Sequence, residues 1–159
     1  MPAQVTKVDI DSNSTKYINT PGYVVTIPEK VTMNSVDGSG ETVVKAEDIN
    51  VAEGWKLTVG IDNSTSFTMK NDDEDELDYA VTKKETTVKL GKNGTSNTTS
   101  FTAPENVVSN GSSVLEISGG TADSSGSTTL VFDSKAAKYP GTYTGTVTFK
   151  VSVAETTTN

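Results

Sequence analysis

Tyr143-Thr144-Gly145-Thr146-Val147-Thr148-Phe149-Lys150-Val151-Ser152-Val153 alternates without a break. Every odd position is Tyr, Gly, Val or Phe, and every even one is Thr, Lys or Ser. Successive side chains of an extended chain point to opposite faces, so this stretch reads as a long strand with one dry face and one wet face. Trp55-Lys56-Leu57-Thr58-Val59-Gly60-Ile61 repeats the pattern. Trp55, Leu57, Val59 and Ile61 share one side; Lys56, Thr58 and Gly60 share the other. A helix needs apolar residues three and four apart, and that spacing is nearly absent. Only Lys45-Ala46-Glu47-Asp48 and Ser134-Lys135-Ala136-Ala137-Lys138 tolerate a helix.

Outward from these two strands the chain is short extended pieces separated by turn chemistry. Tyr23-Val24-Val25-Thr26-Ile27 stops at Pro28, and Asp37-Gly38-Ser39-Gly40 is a turn signal. Thr42–Ala46, Ser66–Met69, Asp78–Thr82, Thr87–Leu90, Phe101–Ala103, Val114–Ile117 and Thr128–Phe132 read as further strands. Gly91 to Ser100 reads as loop, with Asn93-Gly94 as a hairpin dipeptide. The expected fold class is all-β: an antiparallel β-sandwich of Ig-like type, about nine or ten short strands, almost no helix. Residues 1–19 are expected to be a polar N-terminal segment whose patch Val5–Ile10 forms an edge strand or a donor strand. Residues 20–153 form the domain, and 154–159 a flexible tail or linker.

The chain has 159 residues and a net charge of −8. Its weight lies in 26 Thr, 17 Ser and 11 Asn, while Cys, His and Arg are absent. That excludes thiol nucleophiles, Ser-His-Asp triads, Cys or His zinc sites and arginine phosphate clamps. The acidic balance argues against nucleic acid and anionic lipid as partners. No apolar run is long enough for a membrane helix, so membrane insertion is not expected. No charged and apolar leader opens the chain. The composition nevertheless suits a secreted or cell-surface protein, and a chain whose signal has been removed is expected.

Three segments carry a family resemblance. Thr26-Ile27-Pro28-Glu29-Lys30-Val31 resembles the opening of Ig-like surface domains of Gram-positive bacteria. Trp55-Lys56-Leu57-Thr58-Val59 is similar to the first W-x-L motif of the WxL cell-wall-binding family. Tyr139-Pro140-Gly141-Thr142-Tyr143-Thr144-Gly145-Thr146-Val147-Thr148-Phe149 resembles the closing hairpin of the same small secreted β-sandwiches. Where the family carries a second W-x-L, this chain has Phe149-Lys150-Val151. The resemblance therefore implies fold and surface location more strongly than peptidoglycan binding. Camelysin-like and fibre-forming matrix proteins share the closing pattern.

Candidate contact residues are aromatic. Trp55 could stack on a glycan or touch a wall, but its alternation with Leu57, Val59 and Ile61 favours a core position. Tyr17 and Tyr139 lie outside the strong strands and are the better surface candidates; Tyr23 and Tyr143 fall on dry faces. Asp72, Asp73, Asp75 and Asp78, with Glu74 and Glu76, supply the oxygen ligands that Ca²⁺ takes, yet the run lacks the turn glycine of an EF-hand loop. A solvated charged loop is the plainer reading. Glu116 and Asp133 are the acids embedded in apolar strands, and alternation turns Glu116 outward, so no catalytic carboxylate pair is marked. Ser134-Lys135 are adjacent and point apart in a strand, which spoils a Ser-Lys dyad.

The expected function is a non-catalytic extracellular module, structural or adhesive, that contacts cell wall, a glycan or a surface protein. Two alternatives stand beside it. One is a self-associating fibre or pilus-type subunit that exchanges the Val5–Ile10 strand. The other is a Ca²⁺-dependent glycan-binding adhesin.

Overall fold

The computed structural model describes residues 4–5, 8–11, 16–19, 22–33 and 38–156, with side chains described from residue 22 onward. Fifteen strands and no helix occur among them. The all-β expectation holds, and the two sequence stretches that carry it become β7 (Trp55–Ile61) and β15 (Thr146–Glu155).

The larger sheet has eight strands. At its centre is β13 (Ser124–Ser134), antiparallel to β9 (Glu76–Lys89) on one side and to β6 (Ser39–Ile49) on the other. β4 (Tyr23–Thr26) and β3 (Lys16–Asn19) extend it beyond β6. β10 (Ser96–Ser100), β11 (Val107–Val108) and β8 (Thr68–Lys70) all pair with β9. The smaller sheet runs in the order β12 (Ser113–Ser118), β7, β15, β2 (Val8–Asp11), β5 (Lys30–Val31). A separate pair joins β1 (Gln4–Val5) to β14 (Thr142–Tyr143).

Both sheets feed one core. The smaller contributes Leu57, Val59, Ile61, Leu115, Ile117, Val147 and Phe149; the larger contributes Val25, Val44, Ala46, Tyr79, Val81, Leu130 and Phe132. The sheets touch through β12 and β13. A Cβ on Gly126 of β13 would lie 2.6 Å from Ile117 Cδ1, so the isoleucine tip of β12 packs directly on the β13 backbone at this glycine. Thr128 is fully buried and its hydroxyl donates to the Val114 carbonyl at 2.7 Å, which satisfies an acceptor of the edge strand β12 inside the dry layer. Tyr143 lies 1 % exposed, with its hydroxyl donating to the Tyr139 carbonyl at 2.7 Å. That bond ties the chain entering β15 to the core.

The strand count and direction differ from the sequence reading. β9 is one strand of fourteen residues, where two short pieces are expected. Its charged middle, Lys83-Lys84-Glu85, interrupts the apolar pattern and shifts the register against β13 at Lys84, but β13 pairs with β9 on both sides of the shift and holds it as one strand. β10 replaces part of an expected loop. All five of its residues are exposed, so pairing alone makes it a strand, and the hydroxyls of Thr87 and Thr98 share a hydrogen bond of 2.8 Å across that pair. Phe101-Thr102-Ala103 is not a strand; the Phe101 N–H donates to Lys84 O and the chain then turns. The sheets are not purely antiparallel: β2 runs parallel to β15, and β1 parallel to β14. Chain ends brought together by the fold need no tight connection, so local turn chemistry carries no sign of their direction. β15 also continues through Ala154 and Glu155, residues expected in the tail.

Tyr79 is the awkward core residue. It stacks on Phe132 with centroids 6.1 Å apart and tilts against Phe67 at 5.8 Å, but its buried hydroxyl has no hydrogen-bond partner among the described residues. Burial holds this phenol well above its ordinary value. The folded protein thus keeps a proton that the unfolded chain releases above about pH 10, and stability falls as pH rises past that point. Tyr79→Phe is expected to stabilise the protein by about 1 kcal/mol at neutral pH and to flatten the alkaline fall. Urea midpoints at neutral and alkaline pH measure both effects, and a destabilised variant would show that the hydroxyl has a partner.

Candidate functional site

The aromatic candidates fall at two ends of the molecule. Trp55 opens β7, next to the turn Ala52-Glu53-Gly54. The Trp55 N–H donates to Ala52 O at 3.1 Å, and Gly54 takes the positive φ of 86° that this turn needs. The Trp55 carbonyl accepts from Gly119 N at 2.7 Å, while Thr156 N and its hydroxyl both donate to Gly54 O. The backbone that carries the indole is therefore held from three sides.

The expected core position for Trp55 is overturned. The alternation is right, since Leu57, Val59 and Ile61 on the same face are all buried, but Trp55 itself is 41 % exposed. β15 shows why. Val147 and Phe149 are buried, Val151 is half-buried, and Val153 is 36 % exposed. Burial on this face therefore falls away along β15 toward Glu155, and Trp55 lies at that end. Leu57 is the register partner of Val153, and Trp55 that of Glu155, so Trp55 and Val153 are diagonal neighbours on one face. Together they form a small apolar rim. On the opposite face Lys56 Nζ meets Glu116 Oε1 at 3.2 Å, which confirms the outward direction read for Glu116.

Tyr139 precedes β14 and the start of β15, whereas Trp55 is the register partner of Glu155 at the end of β15. The Tyr139 ring is 49 % exposed and Lys138 Nζ lies 5.8 Å from the centroid. The structure brings it to the acidic loop and not to Trp55. Asn71 makes the link: Nδ2 donates to Pro140 O at 3.3 Å and to Asp75 Oδ2 at 3.0 Å. Its Oδ1 accepts from Asp73 N at 3.0 Å and from Asp75 N at 2.9 Å. The Tyr17 backbone pairs with Val25 in β3, and its side chain lies outside the described residues.

The acidic loop is organised by neighbours inside the chain. Asp75 accepts from Asn71, Asp78 accepts from the Thr68 hydroxyl at 2.9 Å, and Glu74 and Glu76 face Lys70 at 3.4 and 4.0 Å. Asp72 and Asp73 are exposed. The four aspartates named as Ca²⁺ candidates are thus spread over a turn and a strand, and no group of three or more acidic side chains converges as metal ligands do among the described residues. Asn71 escaped the sequence reading. An asparagine immediately before a run of acids is the signature of a side chain that caps the turn, and that signal was available.

One further turn is fixed by charge. The Ser64 hydroxyl and N–H both donate to Asp62 Oδ2, at 2.6 and 3.0 Å, and these bonds, with a small help from Lys150, hold its carboxyl below the usual range. A hollow of about 310 Å³ between β9 and β12 has Lys83, Phe101, Leu115 and Glu116 in its lining, with Lys83 Nζ 4.3 Å from the Phe101 ring. The hydroxyl-bearing Thr86 and Ser113 also line it. Compared with protein-family models and with curated proteins, the chain matches none.

Proposed function

We propose that this chain is a non-catalytic module of a Gram-positive cell surface or its secreted matrix, structural or adhesive in role, that meets cell wall, a glycan or a surface protein through the rim around Trp55. The observation that supports the reading is the half-exposed indole beside Val153 on a backbone fixed by the Ala52–Trp55 turn, Gly119 and Thr156. A large flat aromatic held rigidly loses little entropy on contact, and it offers a stacking face for a sugar or an apolar face for a protein. The Thr- and Ser-rich outer strand surfaces, such as the wholly exposed β10, supply hydroxyls for polar contacts around such a platform.

Co-sedimentation with isolated Gram-positive cell walls tests this reading. Trp55→Phe is expected to weaken binding about ten-fold, because the smaller ring forfeits roughly 1.4 kcal/mol of contact. Tyr139→Ala, at the far end of β15, is expected to leave binding unchanged. Equal pelleting of wild type and the Trp55 variant, or failure of both to pellet, would remove the rim from the account.

A further inference from the structure

The smaller sheet is completed by a strand from the start of the chain. β2 lies between β15 and β5, parallel to the first through Asp9↔Thr146, Ile10↔Val147 and Asp11↔Thr148, and antiparallel to the second through Val8↔Val31 and Asp9↔Lys30. Among the described residues β15 and β5 do not pair with each other, and β5 has no other strand partner in its sheet. The two walls belong to the body of the domain and carry buried core residues: Val147 is 0 % exposed and Val31 3 %. β1 accompanies β14 in the same parallel sense, Gln4↔Thr142 and Val5↔Tyr143, with a register only one residue different from that of β2 on β15. β1 and β2 therefore both run along the closing stretch of the chain, at Thr142–Tyr143 and at Thr146–Thr148.

We propose that the slot between β5 and β15 is an interface between copies of this chain, in which β2 of one copy fills the slot of the next. Three observations carry it. The slot has walls on both sides, so an incoming strand is paired along both edges. The resident strand is parallel to the last strand, so no hairpin decides which copy supplies it. Its ladders are short, three register pairs on one side and two on the other, so few contacts must break for it to leave. The contacts made are the same whichever copy donates, and concentration then sets the balance. The contact is head-to-tail, and such contacts propagate into open fibres unless a ring closes. The proposal rests on the reading of the chain as a structural module and is independent of what the Trp55 rim touches.

The chain has no cysteine, so introduced thiols report cleanly. Asp9 and Lys30 are register partners, and opposed antiparallel residues lie about 4.5–5.5 Å apart at Cα, within reach of a disulfide. Lys30 is exposed, so its replacement leaves the core untouched. Chains carrying Asp9→Cys alone and Lys30→Cys alone are mixed, concentrated to the millimolar range and oxidised, beside a control that pairs Asp9→Cys with Lys45→Cys. The Asp9–Lys30 heterodimer is expected to exceed the control about ten-fold and to fade when the mixture is diluted before oxidation. The double variant, Asp9→Cys with Lys30→Cys, is expected to give a ladder of covalent multimers when concentrated and closed single chains when dilute. Closed single chains at every concentration, with heterodimer no more abundant than the control, would overturn the proposal. So would a double variant that forms no disulfide, because β2 would then not occupy the slot. Neither readout involves cell walls, so failure here and failure of the wall-contact reading remain separable.

Discussion

Phe132→Ala is expected to cost about 4 kcal/mol, the largest single loss in the core. Phe132 is fully buried on the central strand β13, with Val81 and Gly40 as its register partners. Gly40 offers no side chain to relax into the space left behind, and a Cβ there would already meet Thr32 O at 2.8 Å. The ring also supports Tyr79, which in turn packs on Phe67. Its loss removes both its own burial and the stacking surface of a neighbour whose hydroxyl is already without a partner among the described residues. For a chain of this length each kcal/mol moves the midpoint by about 2–4 °C, so calorimetry should show a fall of about 8–16 °C. A fall under about 3 °C would mean that the two sheets close over the gap.

Asn71→Ala is expected to cost about 3 kcal/mol, which is unusual for a residue beside an exposed loop. The side chain is 7 % exposed and takes part in four hydrogen bonds, two as donor and two as acceptor. Alanine leaves the Asp73 and Asp75 N–H groups and the Pro140 carbonyl without that partner at once. It also frees five consecutive acidic residues, Asp72 to Glu76, from the turn that spaces them. Asn71→Asp separates the two effects. It keeps the acceptor for Asp73 and Asp75 but adds a sixth neighbouring negative charge, so salt should restore part of its loss and none of the alanine variant's. Thermal melts at low and high ionic strength distinguish them. A melting temperature unchanged by either substitution would show that the loop is held by the Lys70 pairs instead.

The sequence pattern reached as far as faces and stopped at depth. Period two assigned Leu57, Val59, Ile61, Tyr143, Val147 and Phe149 to the dry side correctly. It could not show that Trp55 and Val153, on that same side, stay exposed, because burial is supplied by residues distant in sequence. β10 was unreadable for the opposite reason: Ser96-Asn97-Thr98-Thr99-Ser100 has no apolar residue to mark a face, and only the neighbouring β9 makes it a strand. The place of Val8–Asp11 between strands separated from it by some 20 and 135 positions is a property of the closed fold, not of any local signal. Tyr139 and the acidic loop are near in space only through Asn71 and the Pro140 carbonyl, a contact no spacing rule contains.

The parallel pairing of β2 with β15 also decides how the protein meets force. A pull on the two ends of the chain drags β2 and β15 in opposite directions along their common axis. The bonds between them are then loaded in shear, all at once, and not peeled one by one as in a hairpin opened from its mouth. A module held at both ends and tugged by flow would therefore resist through this three-pair ladder acting as a clamp. The first event under load would be the sliding of β2 out of its slot, with the rest of the core still closed.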